Sequence, residues 1–299
     1  MKTYLDCFPC FLRQVLDSAR VAGLNEAQQY ELLQHVLVEA QHYDTSYTPS
    51  EMSSRIQEMV RQASHNGDPY RRAKDDSTQR ALALLPHLRE LVRQASDPLE
   101  TAVRLSIAGN IIDHGVVKAF DLESTIERVL AEPFAINHLP ALRAALACCH
   151  NVLYLADNAG ETVFDRLLIE QLPVPVTYVV KAAPTVNDAT REDAITAGIH
   201  EIAAIVDNGS DALGTLLYRC SSEFIERFWA ADLIIAKGQA NFESIDGSGA
   251  PAFYLLQAKC EVLAKHLGVP QYGMVVKQEP TRSEIAEREL HNEPARTCS

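Results

Sequence analysis

The sequence predicts an α/β multidomain protein: a helical N-terminal domain, then a doubly wound, mostly parallel α/β/α (Rossmann-like) domain. Three observations predict it. The first hundred residues place apolar side chains at helical spacing and show no strand-like run. From Asn151 onward the pattern changes to short continuous apolar runs. Helix-like patterns fill most intervals between those runs, an alternation that signals buried parallel strands covered on both faces. The helical domain is assigned to residues 1–100 and the α/β domain to 101–299, with 97–149 helical and able to belong to either.

In order, Leu12, Val15, Leu16, Ala19 and Ala22 form a helical stripe that Gly23 ends. A second helix covers 26–43. Thr48-Pro49-Ser50 reads as a cap, with Glu51 opening a helix that puts Met52, Ile56 and Val60 on one face. Asn66-Gly67-Asp68-Pro69 breaks that helix and starts another, proline suiting a first turn. Further helical stripes cover 81–95 and 101–112. Asn110 and Asp113 are polar at i and i+3, so they share one face of an otherwise apolar helix. Strands are expected at 151–157, 175–181, 201–207, 232–237 and 272–277. Helices are expected at 160–171, 191–198 and 252–267. The tail after Gln278 is polar and charged.

The chain has 299 residues, enough for one large or two modest domains. Its net charge of −13 argues against a nucleic-acid binder and against an anionic membrane surface as partner. It leaves room for a small phosphorylated substrate, because a metal and one lysine dominate the field locally. No apolar run has transmembrane length. The stretch from Met1 to Cys7 carries an aspartate and no apolar h-region, unlike a secretory signal. Seven cysteines without a regular framework fit a reducing compartment, and the expected location is cytoplasmic.

Four strand ends carry the chemistry. They are Asp157-Asn158-Ala-Gly-Glu161, Asn187-Asp188-Ala-Thr190, Asp207-Asn208-Gly209 and Lys237-Gly238-Gln239-Ala-Asn241. Alone, an Asp-Asn after a strand is more often a turn or a helix cap than a ligand. In a parallel sheet, however, the four loops share one edge, where ligands collect. Asp157, Asn158 and Asp188 supply three oxygen donors, a set suited to Mg²⁺ or Mn²⁺ rather than zinc. Gly160 lets an anion approach the amides of the next helix. Lys237 is a point charge suited to phosphate. Glu161 reads as a first-turn helix residue, with a base or ligand-supporting role as the sharper alternative. Cys7-Phe-Pro-Cys10 admits a redox pair, half of a zinc site, or two part-buried thiols at a helix start. No Walker loop, Gly-x-Gly-x-x-Gly, Gly-x-Ser-x-Gly or His-Glu-x-x-His is present.

Taken together, six segments resemble the DUF89 family of metal-dependent damage-control phosphatases, in its microbial subgroup with an N-terminal Cys-x-x-Cys. They are Asp6-Cys-Phe-Pro-Cys-Phe-Leu-Arg-Gln14, Asp68-Pro-Tyr70, Gly109-Asn-Ile-Ile-Asp113, Asp157-Asn-Ala-Gly-Glu161, Asn187-Asp-Ala-Thr190 and Ala236-Lys-Gly-Gln-Ala-Asn-Phe-Glu243. The resemblance implies a divalent metal (Mn²⁺, Mg²⁺, Co²⁺ or Ni²⁺) on Asp157, Asn158 and Asp188. It implies Asp157 and Lys237 in catalysis, with Lys237 beside the substrate phosphate. Gly160, Glu161, Asn110, Asp113, Gln239 and Asn241 are the expected substrate contacts, and Cys7 and Cys10 lie near the site. The function so expected is hydrolysis of small phosphometabolites. A carboxyl methyltransferase using S-adenosylmethionine, or a metal-binding protein without turnover, stands as the alternative.

Overall fold

The computed structural model describes residues 1–113 and 122–280; for 110–113 and 122–125 it describes the backbone only. The first three helices, α1 (Cys7–Val21), α2 (Glu26–His42) and α3 (Pro49–Ser64), enclose a core of their own. Phe11, Val15, Ala19, Val36, Met52, Ile56 and Val60 fill it, as their helical spacing requires. Capping boxes set the starts of two of these helices. Asn25 and Gln28 exchange hydrogen bonds at α2, and Thr48 and Glu51 do so at α3. Four more helices follow: α4 (Arg71–Gln94), α5 (Pro98–Asp113), α6 (Leu122–Ala131) and α7 (Leu139–Cys148).

Among the described residues the seven strands are β1 (Ile136–Asn137), β2 (Val152–Leu155), β3 (Val176–Val180), β4 (Ala204–Asp207), β5 (Leu233–Lys237), β6 (Ala252–Gln257) and β7 (Met274–Gln278). They form one sheet in the order β1-β7-β6-β5-β2-β3-β4. All pairs are parallel except β6 with β7. The intervening helices are α8 (Thr162–Ile169), α9 (Arg191–Thr196), α10 (Ser222–Ala230), α11 (Gly238–Ile245) and α12 (Glu261–Leu267). Strand parity divides the core between two faces. Val152 and Tyr154 pack with α4, α5 and α8, while Leu153 and Leu155 pack with α10, α11 and α12. The fold is therefore the helical part followed by the Rossmann-like α/β part that the residue pattern predicts.

Three stretches differ from expectation, the first being Ile136–Asn137, a short strand within 97–149, which the sequence reads as helical. The helix expected over 252–267 is a strand, Ala252–Gln257, followed by a short helix from Glu261. A continuous apolar run such as Ala252-Phe-Tyr-Leu-Leu256 suits a buried strand and a buried helix equally by periodicity. Position between β5 and β7, with both faces buried, settles it as strand. The strand at 201–207 also begins later, at Ala204, because Ile199–Glu201 form a 3₁₀ turn.

From β2 the chain moves outward through β3 and β4, then returns to lay β5 on the other side of β2. The ends of β2 and β5 thus flank the point where strand order reverses. Two such strands diverge into helices on opposite faces and leave a crevice at their carboxyl ends.

Candidate active site

The crevice is built first from backbone. Past β2, Ala159 N–H donates to the Asn187 carbonyl at 2.8 Å, and Ala189 N–H donates to the Asp157 carbonyl at 2.8 Å. Between them Asn158 and Asp188 pair as an isolated antiparallel bridge. These bonds clip the loop after β2 to the loop after β3 and bring Asp157, Asn158 and Asp188 together. Asn158 Nδ2 donates to Asp157 Oδ2 at 3.1 Å and to Glu161 Oε1 at 2.6 Å. Only the NH₂ side of an amide can face two carboxylates, so what Asn158 has left to offer is Oδ1. The turn after β5 closes the other side. Gly238 has φ +79°, and a Cβ there would lie 2.0 Å from Asp157 Oδ2. Only glycine lets this turn seat itself against the Asp157 carboxylate.

The charges are dense and buried. Burial, then the Glu161 and Asp188 carboxylates, push the Asp157 carboxyl well above its ordinary range, outweighing Lys259 and Lys237. Burial raises Asp188 to about 6 although Lys181 and Lys74 oppose it. Lys181 Nζ stands 3.5 Å from Asp188 Oδ2 and also donates to the Gly214 carbonyl. Burial likewise raises Glu161 to about 7 against the pull of Lys237 and Lys259.

A cavity of about 570 Å³ opens over these residues. Its floor includes Asp157, Asn158 and Asp188, and one wall is α1, with Cys7, Cys10 and Ser18. Lys259 and Gln239 line it beside the carboxylates. Lys259 did not figure among the expected site residues. It follows β6, whose strand character the apolar run concealed, so its place on the strand-end edge was not legible. Among the described residues no group of three His, Cys, Asp or Glu side chains is gathered for a metal ion. The set here has two carboxylates and an amide.

The remaining expected site residues fall in several places. Lys237 lies below the cavity, 1% exposed, with Nζ donating to the Ser106 carbonyl (2.8 Å), Glu161 Oε2 (3.1 Å) and Asp165 Oδ1 (2.7 Å). Asn241 is a clamp. Its Nδ2 holds the carbonyls of Ala156 (3.0 Å) and Lys237 (2.8 Å), and its Oδ1 accepts from Thr215. Around Gly160 the amides of Ala159, Glu161 and Thr162 bond to main-chain carbonyls. The side chains of Asn110 and Asp113 lie outside the described residues.

The model of the damage-control phosphatase ARMT1-like domain matches residues 3–275. The chain belongs to this family. Damage-control phosphatases of Archaeoglobus fulgidus and Pyrococcus horikoshii are 34% and 31% identical to it. These alignments cover 91% and 92% of this chain, and 97% of each relative. The crystal structure of a DUF89 family protein from P. horikoshii superposes with a TM-score of 0.85 at 30% identity, covering 93% of this chain and 99% of that one. An uncharacterized protein of Methanocaldococcus jannaschii is 37% identical over 88% of this chain and 91% of its own length.

In this ARMT1-like chain both thiols of the Cys-x-x-Cys face the cavity. Burial pushes the Cys7 and Cys10 thiols up, and the neighbouring Cys260 and Glu243 add to it. A raised thiol is a poor nucleophile at neutral pH, which weighs against redox catalysis by this pair. No helix among the described residues is long and apolar enough to cross a membrane.

Proposed function

We propose that the chain is a metal-dependent phosphatase acting on small phosphometabolites. The observation that carries this reading is the gathering of Asp157, Asn158 and Asp188 at the sheet's switch point, beside Lys259. Membership of the damage-control phosphatase family supports it.

The residues fit a hard divalent cation. The donors are all oxygens, and Gly238, with no Cβ, lets the turn after β5 pack directly against the Asp157 carboxylate and hold that donor in place. Asp157, Asn158 and Asp188 would hold the ion. Mn²⁺, Mg²⁺, Co²⁺ and Ni²⁺ are the candidates. When bound, the ion would polarise a phosphoryl oxygen. The protein's own groups do the rest. Lys259 and the first turn of α11, where Gln239 and Ala240 line the cavity, face the phosphate. Lys237 holds Glu161, Glu161 holds the Asn158 amide, and the amide keeps Oδ1 turned outward. Asn241 fixes the turn after β5 against the end of β2.

Two measurements test this. Titration calorimetry with Mn²⁺ on Asp157→Ala and Asp188→Ala should show metal binding lost in both. Phosphate release from a panel of sugar phosphates and nucleotides should vanish with it. Lys259→Met should keep the metal and lose roughly a hundredfold in kcat/KM, the scale of one positioned stabilising group. Metal binding and phosphate release retained in both aspartate variants would overturn the reading.

A further inference from the structure

The helical wall of the cavity carries a polar group that the phosphate chemistry leaves unused. Ser18, Gln57 and Tyr70 come from α1, α3 and the residue preceding α4, and all three line the cavity. Gln57 Nε2 donates to Ser18 Oγ at 2.8 Å, and the Tyr70 hydroxyl contacts Ser18 Oγ at 2.9 Å. Ser18 and Gln57 are each 2% exposed. Burial holds the Tyr70 phenol above its ordinary range, so it keeps its proton.

A proton count follows. Ser18 and Tyr70 bring two hydroxyl protons, and their mutual contact uses one. Whichever hydroxyl donates to the other, one O–H remains, with no further partner among the described residues. Gln57 occupies one acceptor site of Ser18 and fixes its position. A buried donor that lines a cavity and lacks a protein partner requires one from the cavity's contents.

We propose that Ser18 and Tyr70 form a binding subsite that donates one hydrogen bond to a neutral oxygen, a hydroxyl or carbonyl, of the substrate's organic part. Neutral oxygen is specified because the group offers a single uncharged O–H and no formal charge of its own, and the charges lining this wall, Arg13 and Asp17, are of opposite sign. The subsite selects polyhydroxylated monophosphates over plain aryl or alkyl phosphates. It rests on the phosphatase reading only for where the phosphate sits.

The test is titration calorimetry of the Mn²⁺-loaded protein with ribose 5-phosphate and with phenyl phosphate, run beside phosphate-release assays. Wild type should bind ribose 5-phosphate more tightly. Ser18→Ala and Tyr70→Phe each leave one hydroxyl proton facing the cavity, so each alone should lose little. Together they should weaken ribose 5-phosphate relative to phenyl phosphate by roughly threefold to tenfold, the worth of one neutral hydrogen bond. That excess of the pair over its parts is a signature that a merely structural role does not give. If the double variant does not fold, Ser18→Cys with Tyr70→Phe keeps the volume, replaces O–H by the weak S–H donor, and carries the same test. Equal affinity of wild type for the two ligands, or equal weakening of both in the double variant, overturns the subsite. Discrimination in binding without phosphate release under any of the four metals sinks the phosphatase reading and leaves the subsite standing.

Discussion

Gly238→Ala separates backbone strain from damage to the site. At φ +79° an alanine costs about 1–2 kcal/mol from left-handed backbone alone. The added Cβ would also stand 2.0 Å from Asp157 Oδ2 and 2.2 Å from its Cγ, where real Cβ contacts essentially never fall below 3.0 Å. The carboxylate must therefore move by about 1 Å or more, and the Asn241 clamp keeps the turn itself from retreating. Displacing a reacting or ligating group by that much costs roughly a hundredfold in rate. Gly247 and Gly268 supply the control. They have φ +80° and +69°, and nothing lies within 4 Å of an added Cβ. Gly247→Ala and Gly268→Ala should lose stability by about 1–2 kcal/mol in urea denaturation and keep Mn²⁺ affinity. Gly238→Ala should lose at least as much stability and, beyond that, about a hundredfold in metal-supported phosphate release. Metal affinity and turnover in Gly238→Ala equal to those of the two controls would refute the placement of Asp157 at the reacting centre.

Two further outcomes concern the buried charges. Lys74 is fully buried, with Nζ 2.9 Å from Asp193 and 3.3 Å from Asp68, so Lys74→Met leaves Asp193 buried without its cation and should cost about 3–5 kcal/mol in urea denaturation; a loss below about 1 kcal/mol would refute it. Burial raises the Glu243 carboxyl, so the folded state binds its proton more tightly than the unfolded chain does. The stability this gives is full below the ordinary carboxylate range, near about pH 4, and is lost as pH rises through the folded value. Glu243→Gln should flatten that part of the pH–stability curve, measured by denaturation between acid and neutral pH, and an unchanged slope would count against it.

Much of the fold could be read from the sequence because its signals are local. The Thr48 and Glu51 capping box, the glycine and proline break at 66–69, and the polar ends of β2 to β5 each follow from a few neighbouring residues. The pairing of Asn158 with Asp188 could be anticipated only through the shared edge, since nothing local joins residues thirty apart. Strand β6 was hidden by its own hydrophobicity, and Lys259 was hidden with it. The Ser18–Gln57–Tyr70 group was invisible for another reason. Its members lie on α1, on α3 and just before α4, and each reads as ordinary helix or turn chemistry until packing brings them together.

Lys237 shows how parity assigns roles that a motif leaves open. From the sequence it is a lysine at a strand end beside a glycine, well suited to phosphate. In β5, however, Leu233 and Ile235 face the α5 and α8 side, and Ile234 and Ala236 the opposite side. Alternation sends Lys237 to the side of Ile235. On that side Tyr154 and Tyr178 stand in register on adjacent strands, their rings stacked 5.3 Å apart, and both hydroxyls donate to Asp165 at 2.7 Å. A carboxylate so deeply buried needs a cation, and Lys237 supplies it at 2.7 Å. Burial alone pulls the ammonium's pKa down; Asp165 and Glu161 outweigh that and hold it above its ordinary range. Its remaining bond to Glu161 continues through Asn158 to the edge of the cavity. Lys237 thus reaches the carboxylates at the cavity floor through two intervening side chains, while Lys259, just past the end of the neighbouring strand β6, lines the cavity itself, as does Arg13.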